Sequence, residues 1–358
     1  MSEFQYYEFQ AVDRALSAKD RDALRDISSR ATITANSFVN EYNYGDFRGK
    51  PEAMMKQWFD LHLYHANWGS RTFMMRLPKR LVDRVRIEDF IAEDDDTELT
   101  DAGQNLILSV SRNEMEFGWE EDVSSLLADL APLRDAVLAG DLRVFYLIWL
   151  SGVEFDFYLD EMTEPLPGIG PLTPSLTAFA EFFAIDMDLV VAAAEVSGSA
   201  PPPDDPKAAI AGLSDAEKTA LLLRVLDGDP HVALDLRALT RRERPAPARG
   251  TRTVAELRGR AAAMDLERQE AASAAERKAR RERVDALIRR GEGVWREIED
   301  EIARTNAAGY AKAVELLTAM REVAEERDLL SAFDTRLVQI VQRHSRKGDF
   351  IARLKALG

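Results

Sequence analysis

Apolar and polar positions alternate with period two at the start of the chain. In residues 4–12 (FQYYEFQAV), Tyr7, Phe9 and Ala11 fall on one face, as in a half-buried strand. Residues 17–29 change to helical spacing, with Ser17 as N-cap and Leu24 and Ile27 turned inward. Residues 31–34 and 38–44 read as two further strands about a turn at Ala35-Asn36-Ser37. Pro51 stands where a first helical residue belongs. Met54, Met55, Trp58, Leu61 and His62 then recur at helical spacing and predict a helix that carries them on one face. Residues 71–77 (RTFMMRL) return to period two, with Phe73, Met75 and Leu77 together. The order is β-α-β-β-α-β, the split βαβ of a ferredoxin-like domain, and residues 105–111 (NLILSVS) offer its sheet one more strand.

From Glu121 onward the pattern is helical. Val123, Leu126, Leu127 and Leu130 form a stripe, Pro132 starts a new helix and Gly140 ends it. Asp141 caps residues 142–159, which are apolar nearly all round and therefore predict the most buried helix. A Pro/Gly loop at 165–171 follows. Thr173-Pro174 opens a helix over 175–184, and 187–196 form another. Residues 197–206 (SGSAPPPDDP) read as a linker, Ser214 and Glu217 as a capping box, Asp229-Pro230 as the next helix start, and 245–250 (PAPARG) as a second linker. Thr253 and Glu256 form another box and open a long helix that runs to Arg290 with Gly259 its one breaker. A heptad seam begins at Val254, Leu257, Ala261 and Met264 but continues onto Arg268, Lys278 and Glu282, too polar for a self-standing coiled coil. The expectation is an exposed helix, supported by the i,i+4 pairs Glu276–Arg280 and Asp285–Arg289.

Three helices follow at 294–305, 310–327 and 330–344. Tyr310, Ala313, Leu316 and Leu317 can face Phe333, Leu337, Ile340 and Val341 in an antiparallel hairpin. The fold class expected is thus mainly α, with a small N-terminal α+β (ferredoxin-like) domain, a long exposed helix and a C-terminal helical hairpin. The expected divisions are 1–118, an α+β domain; 119–197, a helical subdomain; 198–244, linker and short helices; 251–290, the long charged helix; and 291–358, a C-terminal helical bundle.

Charge sharpens this division. Residues 1–240 hold 21 Lys and Arg against 43 Asp and Glu, whereas residues 241–358 hold 26 against 20. The acidic part repels nucleic acid and anionic membranes, and the C-terminal part tolerates either. The chain has no cysteine, which removes disulfides, thiolate metal sites and cysteine nucleophiles and suits a reducing compartment. The first ten residues lack the basic and apolar regions of a secretory signal, and the longest apolar run, 144–150, is too short for a membrane span. A cytoplasmic protein without membrane contact is expected.

The search for chemistry is mostly empty. Gly45 to Lys50 is one residue short of a P-loop and has Pro51 in place of the Mg²⁺-binding hydroxyl, and Gly168-Ile-Gly170 lacks the third glycine of a dinucleotide loop. The acidic run Glu93-Asp94-Asp95-Asp96 with Glu98 lacks the alternation and central glycine of a calcium loop and reads as a solvated loop. His62 and His65, i and i+3 on the predicted helix, share a face there and are weak candidates for a metal pair. The competing reading is a hydrogen-bonded core histidine beside Trp58 and Leu61. No cofactor and no catalytic residue are assigned. Arg277, Lys278, Arg280, Arg281 and Arg283 on the long helix, and Arg71, Arg76, Lys79, Arg80, Arg84 and Arg86 earlier, are candidates for contact with phosphates or a partner, although Glu276, Glu282 and Asp285 lie among the first set. The N-terminal aromatics lack the basic and glycine positions of an RNA-stacking strand and read as core.

Two stretches resemble known families. Residues 4–80, with YYEFQAVDRAL, SSRATIT, SFVNEY, YGDFRG and LYHANWGSR, resemble a family of uncharacterised bacterial proteins. Residues 294–354, with VWREIE, YAKAVELLTAMREVAE and FDTRLVQIVQRHSRKGDFIARL, resemble the helical tail of bacterial SWIM zinc-finger proteins. The finger's own Cys and His ligands are missing, so the resemblance implies a modular helical adaptor and brings no metal, DNA-binding or catalytic role. The functional expectation is a non-enzymatic adaptor or scaffold that docks a protein partner through its C-terminal helices. The alternatives are a nucleic-acid-binding accessory protein using the basic stretch and an enzyme without a recognisable motif.

Overall fold

The computed structural model describes residues 4–45, 47–92, 96–113, 123–155, 157–196, 206–229, 231–233, 235–236 and 248–355. The acidic residues 93–95, Glu121, most of both proposed linkers, Pro230 and the division at 118/119 lie outside them. The chain divides into two compact units, residues 1–265 and 266–358.

Unit 1 is built on a seven-stranded antiparallel sheet. Its strands are β1 (Gln5–Gln10), β2 (Thr32–Ile33), β3 (Ser37–Tyr42), β4 (Leu61–Ala66), β5 (Arg71–Pro78), β6 (Thr97–Ala102) and β7 (Asn105–Arg112), in the order β2-β3-β1-β4-β5-β7-β6. The helices between them are α1 (Ala18–Ile27), α2 (Pro51–Gln57) and α3 (Arg84–Glu88). The first six elements do run β-α-β-β-α-β. The sheet then continues through three more strands, β7 inserting between β5 and the edge strand β6, so the small ferredoxin-like domain expected from the sequence is corrected to a larger α+β unit. The α+β region at the N-terminus and the mainly helical remainder are as expected.

The principal correction is β4. The predicted helix through Leu61 and His62 stops at Gln57, and Leu61–Ala66 is a central strand paired with β1 on one side and β5 on the other. Every β4 side chain except Tyr64 is buried, as befits a strand paired on both sides at the centre of the sheet. That burial erases the in-out alternation by which a strand is read from sequence, and the apolar run fits helical spacing equally well.

One face of the sheet presents Tyr6, Leu61, Leu63, Phe73, Met75, Leu108 and Val110 to a helical layer. That layer comprises α4 (Leu126–Leu130), α5 (Pro132–Leu138), α6 (Arg143–Glu154), α7 (Pro174–Phe182) and α8 (Met187–Ala194). As its all-round apolarity predicts, α6 is buried from Arg143 to Val153. Pro132 and Pro174 occupy first-turn positions, Thr173 caps Leu176, and Gly140 adopts φ +87° after α5, each as the sequence indicates. On the opposite face, α1 and α2 cover Phe9, Phe38 and Ile107, with Met74 at the edge of the same cluster. Helices α9 (Pro206–Gly212) and α10 (Asp215–Leu226) follow.

Helix α11 (Val254–Arg290) crosses the division at 265/266. Within unit 1, Val254, Leu257 and Ala261 are buried in the main core. From Leu266 to Arg283 every side chain is exposed. Unit 2 continues with α12 (Glu292–Ala303), α13 (Ala307–Glu326), α14 (Leu330–Arg343) and α15 (Gly348–Lys355). The expected facing of α13 and α14 holds for Ala313, Leu317, Phe333 and Ile340. The same core also takes Val294 and Ile298 from α12 and Phe350 from α15, so the hairpin is part of a helical bundle. Among the described residues no single helix is long and apolar enough to cross a membrane.

Candidate functional site

The histidine pair is separated by its strand. On a strand, positions i and i+3 point to opposite faces, so His62 and His65 cannot share a metal ion as they could on a helix. Among the described residues no group of three or more metal-ligating side chains is found. His65 lies on the side of the α4–α8 layer, 6.4 Å between ring centroids from Phe4. Burial, reinforced by the charge of Arg71, pulls its pKa down to about 4. His62 lies on the other side and is 1% exposed, stacked on Phe9 with centroids 3.9 Å apart. Its Nδ1 lies 2.9 Å from the backbone carbonyl oxygen of Glu8. A carbonyl only accepts, so Nδ1 carries the proton and Nε2 keeps its lone pair. Burial holds this imidazole neutral by lowering its pKa to about 4, against the opposing pull of the Glu8 hydrogen bond.

His62 lines a groove of about 380 Å³ on the sheet face that α1 and α2 leave uncovered. The strand register organises it into two rows. His62, Met74, Ser109 and Glu98 sit opposite one another across β4, β5, β7 and β6. Tyr7, Tyr64, Thr72 and Ser111 do the same across β1, β4, β5 and β7. The first row runs from the His62 ring through Met74 and the Ser109 hydroxyl to Glu98, and the second from two tyrosine rings to two hydroxyls. The individual aromatics and acidic residues are visible in the sequence, but the register that aligns them is not.

Sequence reasoning also missed two buried charge networks. Asp60, fully buried at the start of β4, accepts the backbone N–H groups of Val12 (2.7 Å) and Asp13 (2.9 Å) on one oxygen. Its other oxygen accepts Arg76 Nε (3.0 Å) and Nη2 (2.7 Å). Arg134 of α5 forks onto Asp13 at 2.9 and 2.6 Å, and His231 Nε2 lies 2.5 Å from the same carboxylate. Burial alone would raise the Asp13 pKa, but the hydrogen bonds from His231 and Arg134 and the charge of Arg134 hold it well below the usual range. Because cationic donors saturate these carboxylates, the cluster reads as a rivet between the sheet, α5 and the segment carrying His231, not as a base awaiting a substrate. The second network is centred on Glu164, which accepts Tyr146 Oη (2.5 Å) and Arg252 Nε and Nη2 (2.9 and 2.8 Å), while Arg252 Nη1 donates to the Ala192 carbonyl (2.8 Å). It ties the chain just before α11 to α6 and α8. The partners lie from 16 to 218 residues apart, and no spacing rule brings them together, which is why neither network is legible in the sequence.

The basic candidates Arg277, Lys278, Arg280, Arg281 and Arg283 are all exposed on α11, with Arg280 3.7 Å from Glu326. A more unusual surface is α10. It opens with a complete Ser214–Glu217 capping box, yet none of its residues is buried. Leu222, Leu223, Val225 and Leu226 are 65, 56, 57 and 83% exposed. Just after it, polar contacts join the chain to the rest of unit 1: Arg80 pairs with Asp235 and His231 meets Asp13, with Val232 the one buried apolar side chain there among the described residues.

Comparisons of the chain with protein-family models, with curated proteins and with solved structures return no match.

Proposed function

We propose that this is a non-enzymatic interaction protein, an adaptor that docks a protein partner through exposed helical surfaces. The observation that supports this reading most is α10. A twelve-residue helix is marginal in water by itself, and this one places Leu222, Val225 and Leu226 at i, i+3 and i+4 in solvent. Ridges of that spacing are what a partner's groove takes in helix-in-groove recognition. The helices of unit 2 and the exposed stretch of α11 offer the second docking face, as the tail-like character of residues 294–354 suggests. The absence of cysteine fits work in the cytoplasm.

A second reading, contact with nucleic acid, draws on the exposed cations Arg277, Lys278, Arg280, Arg281 and Arg283 of α11. One experiment separates the two. The tagged full-length chain and a variant with Leu222, Leu223, Val225 and Leu226 all changed to Ser are used to capture partners from native extract. The adaptor reading expects a discrete protein retained by the wild type and lost from the variant. It fails if both retain the same set. Retention of nucleic acid that is released as salt rises, and abolished by Arg277→Glu with Arg281→Glu, would favour the second reading.

A further inference from the structure

The groove over β4, β5, β7 and β6 has a chemistry that the adaptor reading does not use. Among its described lining residues there is no Lys or Arg; Glu52 stands on its α2 rim and Glu98 at its β6 end, beside Asp96, which Arg112 pairs at 3.3 Å. Acidic residues on a surface are by themselves only a solvated patch. Here a second feature points to a ligand. His62 is 1% exposed, its Nδ1–H donates to the Glu8 backbone carbonyl, and the ring lines the groove, so the polar atom left for an occupant is a lone-pair nitrogen. A neutral acceptor beside tyrosine rings and across from carboxylates suits a donor that is cationic, carries N–H groups and has an apolar stem.

We infer that this groove binds a linear polyamine laid across the strands. The register supplies the length. Glu98 is three strands from His62 in one cross-strand row, and at ~4.8 Å per strand the two ends lie roughly 14 Å apart. That is the span of an extended triamine or tetramine and far exceeds that of a metal ion or a single ammonium. One ammonium group pairs with Glu98. The methylene stem crosses Met74 between the hydroxyls of Thr72 and Ser109. A second ammonium group donates to His62 Nε2 and lies against the rings of Tyr7 and Tyr64, whose centroids are 4.7 Å apart, in a cation–π contact. Glu52 closes the rim. The surrounding unit adds long-range attraction, with 43 acidic against 21 basic residues in positions 1–240.

The test is calorimetric titration of the full-length protein with spermine and spermidine at physiological salt. Tetramethylammonium, which has no N–H, and Mg²⁺ serve as comparison ligands. Saturable binding of one spermine is expected, with neither comparison ligand competing at tenfold excess. Glu98→Gln, an exposed substitution on an edge strand, should weaken spermine at least tenfold. His62→Phe, whose ring keeps the stack on Phe9, should weaken it at least fivefold. Glu322→Gln on α13, equally exposed, should leave it unchanged. Absence of binding at millimolar spermine overturns the proposal. So does an equal loss in Glu322→Gln and Glu98→Gln, which would mean diffuse attraction to an acidic protein, and so does full displacement of spermine by Mg²⁺.

Discussion

His62 and His65 show how much a residue's meaning depends on its element. Both imidazoles are kept neutral in the fold chiefly by burial, and both have pKa values near 4 instead of 6.5. The unfolded chain therefore takes up protons between pH 6.5 and 4 that the folded chain refuses, and stability falls as pH drops through that window. For His62 alone the loss is on the order of 3 kcal/mol. Glu8 and Glu154, whose carboxyls burial holds above the ordinary value, act in the opposite direction. Asp13, held low by His231 and Arg134 against its burial, adds its own loss only below about pH 4. Urea denaturation at pH 7.5 and pH 4.5 should show the drop, and His62→Phe should reduce it. An identical pH dependence in that variant would mean that His62 is not neutral in the native state.

Among elements, local signals held at most boundaries that a cap or a proline set; the exception is Asp141, since the helix expected over 142–159 spans Arg143–Glu154 with Leu142 at its N-cap and no side-chain cap. Ser17, Thr173, Ser214 and Thr253 cap the helices they were expected to cap, because a cap is made by residues three apart and needs no distant partner. Strand β4 failed for the converse reason: its state is decided by β1 and β5 on either side. The segment before α11 shows a third case, in which a glycine expected only as the end of a linker is required by packing. A Cβ at Gly250 would collide with the Glu164 side chain and the Leu166 carbonyl, and neither can retreat while Arg252 and Tyr146 hold Glu164. Gly250→Ala should therefore lower the melting temperature by several degrees, as expected for a loss of about 1–3 kcal/mol by overpacking. A melting temperature within one degree of wild type would show that this network yields easily.

At the scale of the whole molecule, the two units differ in how their helices are held. Helix α6 is buried along nearly its whole length, whereas residues 266–283 of α11 have no buried side chain. Local opening is easiest where few apolar contacts must be broken. Hydrogen exchange should therefore label the amides of 266–283 well before those of Arg143–Glu154. Slow exchange across 266–283 in the purified protein would mean that a second copy of the chain covers that stretch in solution.

Sequence by itself determined what short-range physics controls: a helix-rich chain with an N-terminal sheet, the caps and proline starts, the all-round apolar α6, and a long helix with a seam too polar to pair with itself. Tertiary structure alone decided the number and order of strands, the identity of β4, the separation of His62 from His65, the two buried charge networks, and the alignment of rings, hydroxyls and carboxylates into rows. Strand pairing and buried ion pairing join residues tens to hundreds of positions apart. Their energies depend on burial and register, and neither is written in the spacing of neighbouring residues.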